Sequence, residues 1–228
     1  MLVRQMEPLI VIGIVALIAV IGYFAWQMEK KRREAFRSWA EQHGWSYSHA
    51  KDRSIYHRFS FLDKLNQGSN RYAAHVVQGE WKGRDSIGFS FHWETYSTDS
   101  KGNRQTHHHW VGVVASQISG DGFPELKISP ESFLHRIGHA LGAQDIDFES
   151  IEFSKKFEVK SKDKKFAFDF CNTGMMEYLL QHPKTPLELQ GNWIAVFDSH
   201  KLEPDEVEPL LEHIDAIRSH MPGYLFRD

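Results

Sequence analysis

Three consecutive histidines, His107-His108-His109, follow His92 and Glu94 in a stretch where polar and apolar residues alternate. Imidazole nitrogens and carboxylate oxygens are the donors that zinc and similar divalent ions take. In a strand, successive side chains point to opposite faces, so His107 and His109 share one face and His108 takes the other. A hairpin centred near Lys101-Gly102 brings His92 and Glu94 within a residue or two of His109. His92, Glu94, His107 and His109 are therefore the expected metal ligands. The assignment depends on register, because a slip of one residue sends His107 and His109 to the opposite face. The competing reading is a solvated polar face.

Other residues offer less. His135 and His139 in H-R-I-G-H have the i, i+4 spacing of a helical metal pair, but Arg136 stands where a metalloprotease needs its glutamate base. Cys171 is the single cysteine, so no intramolecular disulfide forms. It is read at the end of a strand before a helix N-terminus, a place that can lower a thiol pKa, and no base partner is evident. Lys155, Lys156, Lys160, Lys162, Lys164 and Lys165 cluster with Phe157 and Phe166. Glu152, Glu158, Asp163 and Asp169 are interspersed, which reads as a solvated hairpin. No phosphate-cradling glycine loop, CxxC pair or G-x-S-x-G elbow is present. The formal net charge of -3 gives no basic field of the kind nucleic-acid binders use, so no nucleic acid is expected.

The elements that would position these residues follow from periodicity. Ile87, Phe89, Phe91 and Trp93 point one way along a strand; Gly88, Ser90, His92 and Glu94 point the other. Residues 97–106 read as a hairpin loop and 107–115 as the returning strand. Tyr72, Ala74 and Val76 mark a strand before the Lys82-Gly83 turn, while residues 45–70 stay ambiguous. Leu126 and Ile128 mark a short strand, and Ser129-Pro130 opens a helix with Phe133, Leu134, Ile137 and Leu141 as its stripe. Ile151, Phe153, Phe157 and Val159 alternate, with a bend near Lys155, and Phe166, Phe168 and Phe170 continue the period of two. Helices come next at 173–181, with Met176, Leu179 and Leu180 inward, and at 204–220. Between them lie strands at Leu187, Leu189 and 193–197, joined by a Gly191-Asn192 turn. Strand pairs alternating with single helices argue for α+β: an N-terminal transmembrane helix, then an antiparallel sheet with helices packed on one face.

Residues 9–26 carry no charge. A run of about 18 residues spans roughly 27 Å, close to a hydrocarbon core of about 30 Å. It is longer than the apolar region of a cleaved signal peptide and lacks a small-residue cleavage pattern. Tyr23, Phe24 and Trp26 sit at its end, where amphipathic rings prefer the interface. Only Arg4 precedes the run, whereas Lys30, Lys31, Arg32, Arg33 and Arg37 come after it. The positive-inside rule then places the C-terminal side of the run in the cytoplasm, making the chain a single-pass cell-membrane protein. Lys30, Lys31, Arg32 and Arg33 are also placed for anionic headgroups.

Hydrophobic residues make up 41% and charged residues 25%, a globular balance that excludes disorder as the general state. The expected organisation is an anchor over 1–28, a basic juxtamembrane helix over 29–44 and an α+β domain over 45–228. Its halves, about 45–145 and 146–228, are loosely alike.

Arg33, Phe36, Arg37, Trp39, Ala40, Gly44 and Trp45 form one pattern. Further on come Met175-Met176-Glu177-Tyr178-Leu179-Leu180, Gly191-Asn192-Trp193-Ile194 and the terminal Met221-Pro222. In this the chain resembles a family of uncharacterised bacterial membrane-anchored proteins, a domain of unknown function. The resemblance implies a bacterial origin and an anchored architecture, and it brings no catalytic residues. The expected function is a non-enzymatic, membrane-anchored cytoplasmic module that binds a protein partner or the membrane surface. The alternative is a metal-binding domain or metal-dependent enzyme built on the histidine-rich hairpin. No cofactor is expected otherwise.

Overall fold

The computed structural model describes residues 3–118, 122–131, 146 and 148–226. The apolar run and the basic stretch after it form one unbroken helix of 41 residues, α1 (Val3–His43). Between Gly22 and Gly44 there is neither glycine nor proline to interrupt it. Large apolar side chains from Val11 to Trp26 are exposed all round, the condition lipid satisfies and water does not. Gly44 ends the helix in the left-handed region at φ 69°. Its N–H reaches the Glu41 carbonyl at 3.3 Å and the Trp45 N–H reaches that of Ala40 at 2.8 Å. These two bonds make a Schellman cap, which satisfies carbonyls the helix end would leave bare.

The strands are β1 (Ser46–Ser48), β2 (Ser69–Trp81), β3 (Arg84–Thr98), β4 (Arg104–Gln117), β5 (Phe123–Pro130), β6 (Phe157–Ser161), β7 (Leu187–Gly191) and β8 (Trp193–Asp198). Among the described residues they form one eight-stranded sheet in the order β1-β2-β3-β4-β8-β7-β5-β6. Every pairing is antiparallel. Lys82 and Gly83 both take positive φ between the paired Trp81 and Arg84, giving the tight turn that suits the twist of a hairpin. The sheet and its helices form the expected α+β arrangement.

One face of the sheet carries Val77, Val114, Leu126, Ile128, Leu187, Leu189, Ile194 and Val196. Phe36 and Ala40 of α1 pack on it, with helices from the second half of the chain. These are α3 (Ile151–Lys156), α4 (Lys164–Phe170), α5 (Thr173–Gln181) and α6 (Val207–His220). The opposite face presents Phe89, Phe91, Val111, Val113, Ala195 and Phe197. It is covered by Ile55, Phe59, Leu62 and Leu65. These come from α2 (Ser54–Arg58) and the 3-10 turn Asp63–Asn66 just after it, within the stretch that periodicity leaves open.

One expected strand is a helix and another begins as one: Ile151 and Phe153 lie in α3, while Phe157 and Val159 form the expected strand as β6. Ser150 accepts a hydrogen bond from the Phe153 N–H and starts α3; Asp163 does the same for Phe166 and starts α4. In α4 the buried residues are Phe166, Ala167 and Phe170, while Phe168 is exposed. The apparent period of two is thus half of a helical stripe. In α5 the fully buried pair is Met175 and Leu179, with Met176 and Leu180 at the margin. The helix expected after Ser129, including His135 and His139, lies outside the described residues.

Candidate functional site

Where α1 leaves its apolar stretch it is clamped to the sheet within about one turn. A Glu29 carboxylate oxygen lies 3.0 Å from His75 Nε2, and the Tyr47 hydroxyl lies 2.9 Å from His75 Nδ1. His75 sits at φ 52° in a bulged stretch of β2, a left-handed conformation that turns its ring toward α1. Burial, then the Arg32 charge, pushes its pKa down to about 4. The neutral ring donates from one nitrogen to Glu29 and accepts from Tyr47 at the other. Arg32 reaches Glu203 Oε2 and Ser90 Oγ, each at 3.1 Å, and also the Leu202 carbonyl. The expectation that Arg32 faces lipid headgroups is therefore corrected: its side chain is only 11% exposed and belongs to the domain. Arg33 turns back to Glu29 at 3.0 Å, whereas Lys30 and Lys31 stay exposed.

The contacts along α1 fix its direction on the sheet. Glu29 meets His75, Phe36 stacks on Tyr47 at 5.6 Å, and His43 lies 6.2 Å from the Trp81 ring. Going back along α1 toward its apolar half is therefore going back along β2 and forward along β3. From Ser90, beside Arg32, β3 runs on to Thr98, about 26 Å at roughly 3.3 Å per residue. From Arg32 back to Trp26 α1 covers only about 9 Å. The β3–β4 hairpin end is thus the end of the sheet nearest the apolar run.

That hairpin carries the histidines. Its register pairs Glu94 with His108, Trp93 with His109 and Thr95 with His107. His92, Glu94 and His108 accordingly share the α1 face. His92 Nε2 lies 3.1 Å from His108 Nδ1, and Glu94 Oε1 lies 3.4 Å from the same His108 atom. His107 and His109 project from the opposite face, where His107 bonds Ser97 Oγ and His109 bonds Thr95 Oγ1, each at 2.7 Å. The four residues expected to converge thus divide. His92 and Glu94 come together with His108, and His107 and His109 do not join them. The loop is the cause: the hairpin closes at Thr98 and Arg104 rather than inside a longer turn, which shifts the pairing by one residue.

His92 is buried between Tyr72, stacked at 4.5 Å, and Trp110 at 4.8 Å. Burial holds its pKa below the usual histidine range. The Asn70 amide, at 2.7 Å from Glu94 Oε1, holds that carboxyl below the usual carboxylate range, and the Tyr96 hydroxyl assists at 3.1 Å. Cations flank the aromatic pair: Lys51 lies 4.5 Å from the Tyr72 ring and Lys201 4.4 Å from that of Trp110.

A second group of metal-capable side chains joins Asp198, His200 and Glu206. The Lys201 carbonyl, then the charges of Asp198 and Glu206, raise the His200 pKa, and the exposed ring lies 3.2 and 3.4 Å from those two carboxylates. Cys171 comes after α4, not a strand, and is buried; burial pushes its thiol pKa up, the opposite of a nucleophile. In the lysine-rich stretch Lys156 meets Glu152, Lys160 meets Glu158 and Lys162 meets Glu125.

No family model matches this sequence, and a search of curated proteins finds no match. The fold is similar to that in the crystal structure of the mycobacterial trehalose monomycolate transport factor A, TtfA. The TM-score is 0.52, with 14% identity over 86% of this chain and 93% of that one. At that identity the likeness is one of fold.

The residues behind the sequence resemblance have structural work in this fold. Phe36 and Ala40 are buried, Gly44 and Trp45 make the helix cap, and Met175, Leu179 and Met221 lie in the core. Periodicity did not single out Asn70, His75, His108 or Arg32 for the parts they play. The available signal was Asn70, since asparagine tolerates left-handed backbone at a bulge.

Proposed function

We propose that this chain is a membrane-anchored accessory module that works by binding rather than by catalysis. Residues 9–26 cross the cell membrane, the domain sits in the cytoplasm, and the β3–β4 hairpin end is presented to a protein partner at the membrane surface. The observation that carries this reading is the continuity of α1. One helix is both the apolar run and a core element of the domain, and the first clamp, Glu29 to His75, comes three residues after Trp26. A domain fixed so close to the bilayer cannot sample the cytosol freely; it holds one end at the surface. The basic residues after the run support the cytoplasmic side, with the exposed Lys30 and Lys31 placed to meet anionic headgroups. The fold likeness to a transport factor supports an accessory role. A place among bacterial membrane-anchored proteins of unknown function belongs to the same proposal.

The test uses the buried Cys171 changed to Ala and a single cysteine introduced at Lys101 in the hairpin. The chain should stay in membranes after carbonate washing, and a cell-impermeant maleimide should label it only after permeabilisation. Release by carbonate would remove the anchor, and labelling of intact cells would reverse the side. A photo-crosslinker at Lys101 should capture a membrane-embedded protein that the same group at Lys82, at the far end of β2, does not. Capture from Lys82 alone would overturn the assignment of the binding end.

A further inference from the structure

We propose that His92 Nε2, His108 Nδ1 and a carboxylate oxygen of Glu94 hold a divalent ion of the zinc class on the β3–β4 hairpin end of the sheet. This goes beyond the accessory role and does not depend on it.

The spacing is the first argument. All three donor atoms lie within 4.8 Å of one another, and the two contacts through His108 measure 3.1 and 3.4 Å. Donors bound at about 2.0–2.1 Å to a tetrahedral centre stand roughly 3.3–3.4 Å apart. The donor set is the second. Two imidazoles and one carboxylate suit zinc, cobalt, nickel or copper, whereas calcium and magnesium take oxygen.

The supporting groups are the third argument, and they centre on Asn70. His92 Nδ1 lies 3.1 Å from the Asn70 carbonyl, so that nitrogen carries the proton and Nε2 is left as a lone pair. Metal-bound histidines are oriented in this way, by a carbonyl or carboxylate on the far nitrogen. The Asn70 side-chain amide donates to Glu94 Oε1 at 2.7 Å, so one residue aims two of the three donors. Asn70 does this from φ 48°, where the register of β2 on β3 is interrupted between Ser69 and Tyr72. A bulge that turns a residue into left-handed backbone to orient two ligands is local strain of the kind binding sites retain.

Without a metal, His108 Nδ1–H is the one proton facing two acceptors, His92 Nε2 and Glu94 Oε1. A cation takes that proton's place and satisfies all three atoms. The His108 side chain is 60% exposed. The ion is therefore reached from solvent, and its fourth position is left to water or to a group from a partner.

The test is zinc binding to the full chain in detergent, purified without a histidine tag, by competition with a chromophoric chelator. The visible spectrum of the cobalt-loaded chain reports the geometry. Wild type should take up one equivalent, and His108→Ala, an exposed change that spares the core, should lose it. His107→Ala and His109→Ala, on the opposite face, should bind as wild type. Asn70→Gly keeps the left-handed backbone and removes the amide, and should weaken binding about 10–100-fold. Wild-type affinity in His108→Ala, or loss of the ion only in His200→Ala, would overturn the assignment, as would no zinc uptake by wild type.

Discussion

His75 Nε2 stands 3.0 Å from a Glu29 carboxylate oxygen, and this contact joins the long N-terminal helix, just past its apolar run, to the second strand of the sheet. The pairing is between a carboxylate and a neutral ring, because burial and Arg32 push the His75 pKa down to about 4 from 6.5. In the unfolded chain the ring titrates near its ordinary value, so between about pH 6.5 and 4 the unfolded state binds more protons. The stability His75 contributes is complete above pH 6.5 and is lost as pH falls through that window, with a ceiling of about 3 kcal/mol. Thermal unfolding of the full chain in detergent should show a midpoint that drops from pH 7 to pH 4. In His75→Asn, which suits the left-handed backbone and does not titrate, the slope should be flatter. An unchanged slope would place the acid sensitivity elsewhere.

Arg32 holds three acceptors at once: Glu203, Ser90 and the Leu202 carbonyl. Lysine has the charge but not the planar fork, and cannot reach all three. Arg32→Lys should cost about 1.5–3 kcal/mol in urea unfolding. It should also expose the α1 junction to protease while leaving membrane retention intact. Lys30→Gln and Lys31→Gln, on the exposed side of the same turn, should leave stability within about 0.5 kcal/mol of wild type.

Gly79 of β2 lies directly against the ring of Trp45, just past the end of α1. A Cβ there would lie 2.5 Å from the Trp45 ring. Trp45 is itself fixed, since its N–H closes the α1 cap and its indole donates to the Glu80 carbonyl at 3.0 Å. Gly79→Ala should therefore destabilise by about 1–3 kcal/mol. The second change Trp45→Leu should recover part of that loss relative to its own single variant. Additive losses in the double-mutant cycle would mean the two residues do not press on each other.

The long apolar helix, the sheet and most strands were legible because each rests on one strong local signal: an uncharged run, an alternating face, a Lys82-Gly83 or Gly191-Asn192 turn. What was not legible depended on a choice between two local signals. Phe166, Phe168 and Phe170 alternate as a strand would, yet Asp163 caps a helix and Phe168 is left outside. The histidines show the same limit, since strand alternation sorted them correctly into two faces but only the true closure at Thr98 and Arg104 says which face meets Glu94. Arg32 looked like its basic neighbours because its partners, Ser90 and Leu202, are remote in sequence.

The cap at Asp163 can be tested directly. Its carboxylate accepts the Phe166 N–H at 2.9 Å. Asp163→Ala should cost about 0.5–2 kcal/mol, while Asp163→Asn, which keeps an acceptor of the same length, should cost a few tenths. Equal losses in both variants would point to charge rather than capping.

The second face of the sheet depends on a short segment whose aromatic residues do most of the covering. Phe59 is fully buried, and its ring meets Trp193 edge-on at 5.0 Å and lies 6.1 Å from Phe89. Polar contacts also tie the segment to the sheet: the Glu188 carboxylate accepts the Asp63 and Lys64 N–H groups at 2.7 and 3.0 Å, Lys127 pairs with Asp63, and Arg71 reaches the Tyr56 hydroxyl and the Asn66 carbonyl. Phe59→Ala removes the central ring and leaves a cavity that α2 can only partly close, so the loss should be about 3–5 kcal/mol. Phe59→Leu keeps most of the volume and should cost about half as much. Amide exchange should quicken first in residues 54–66 and across β3, β4 and β8, with α5 and α6 on the other face still protected. Equal quickening on both faces would mean that the two cores unfold as one unit and that the segment is not a separately stabilised cover.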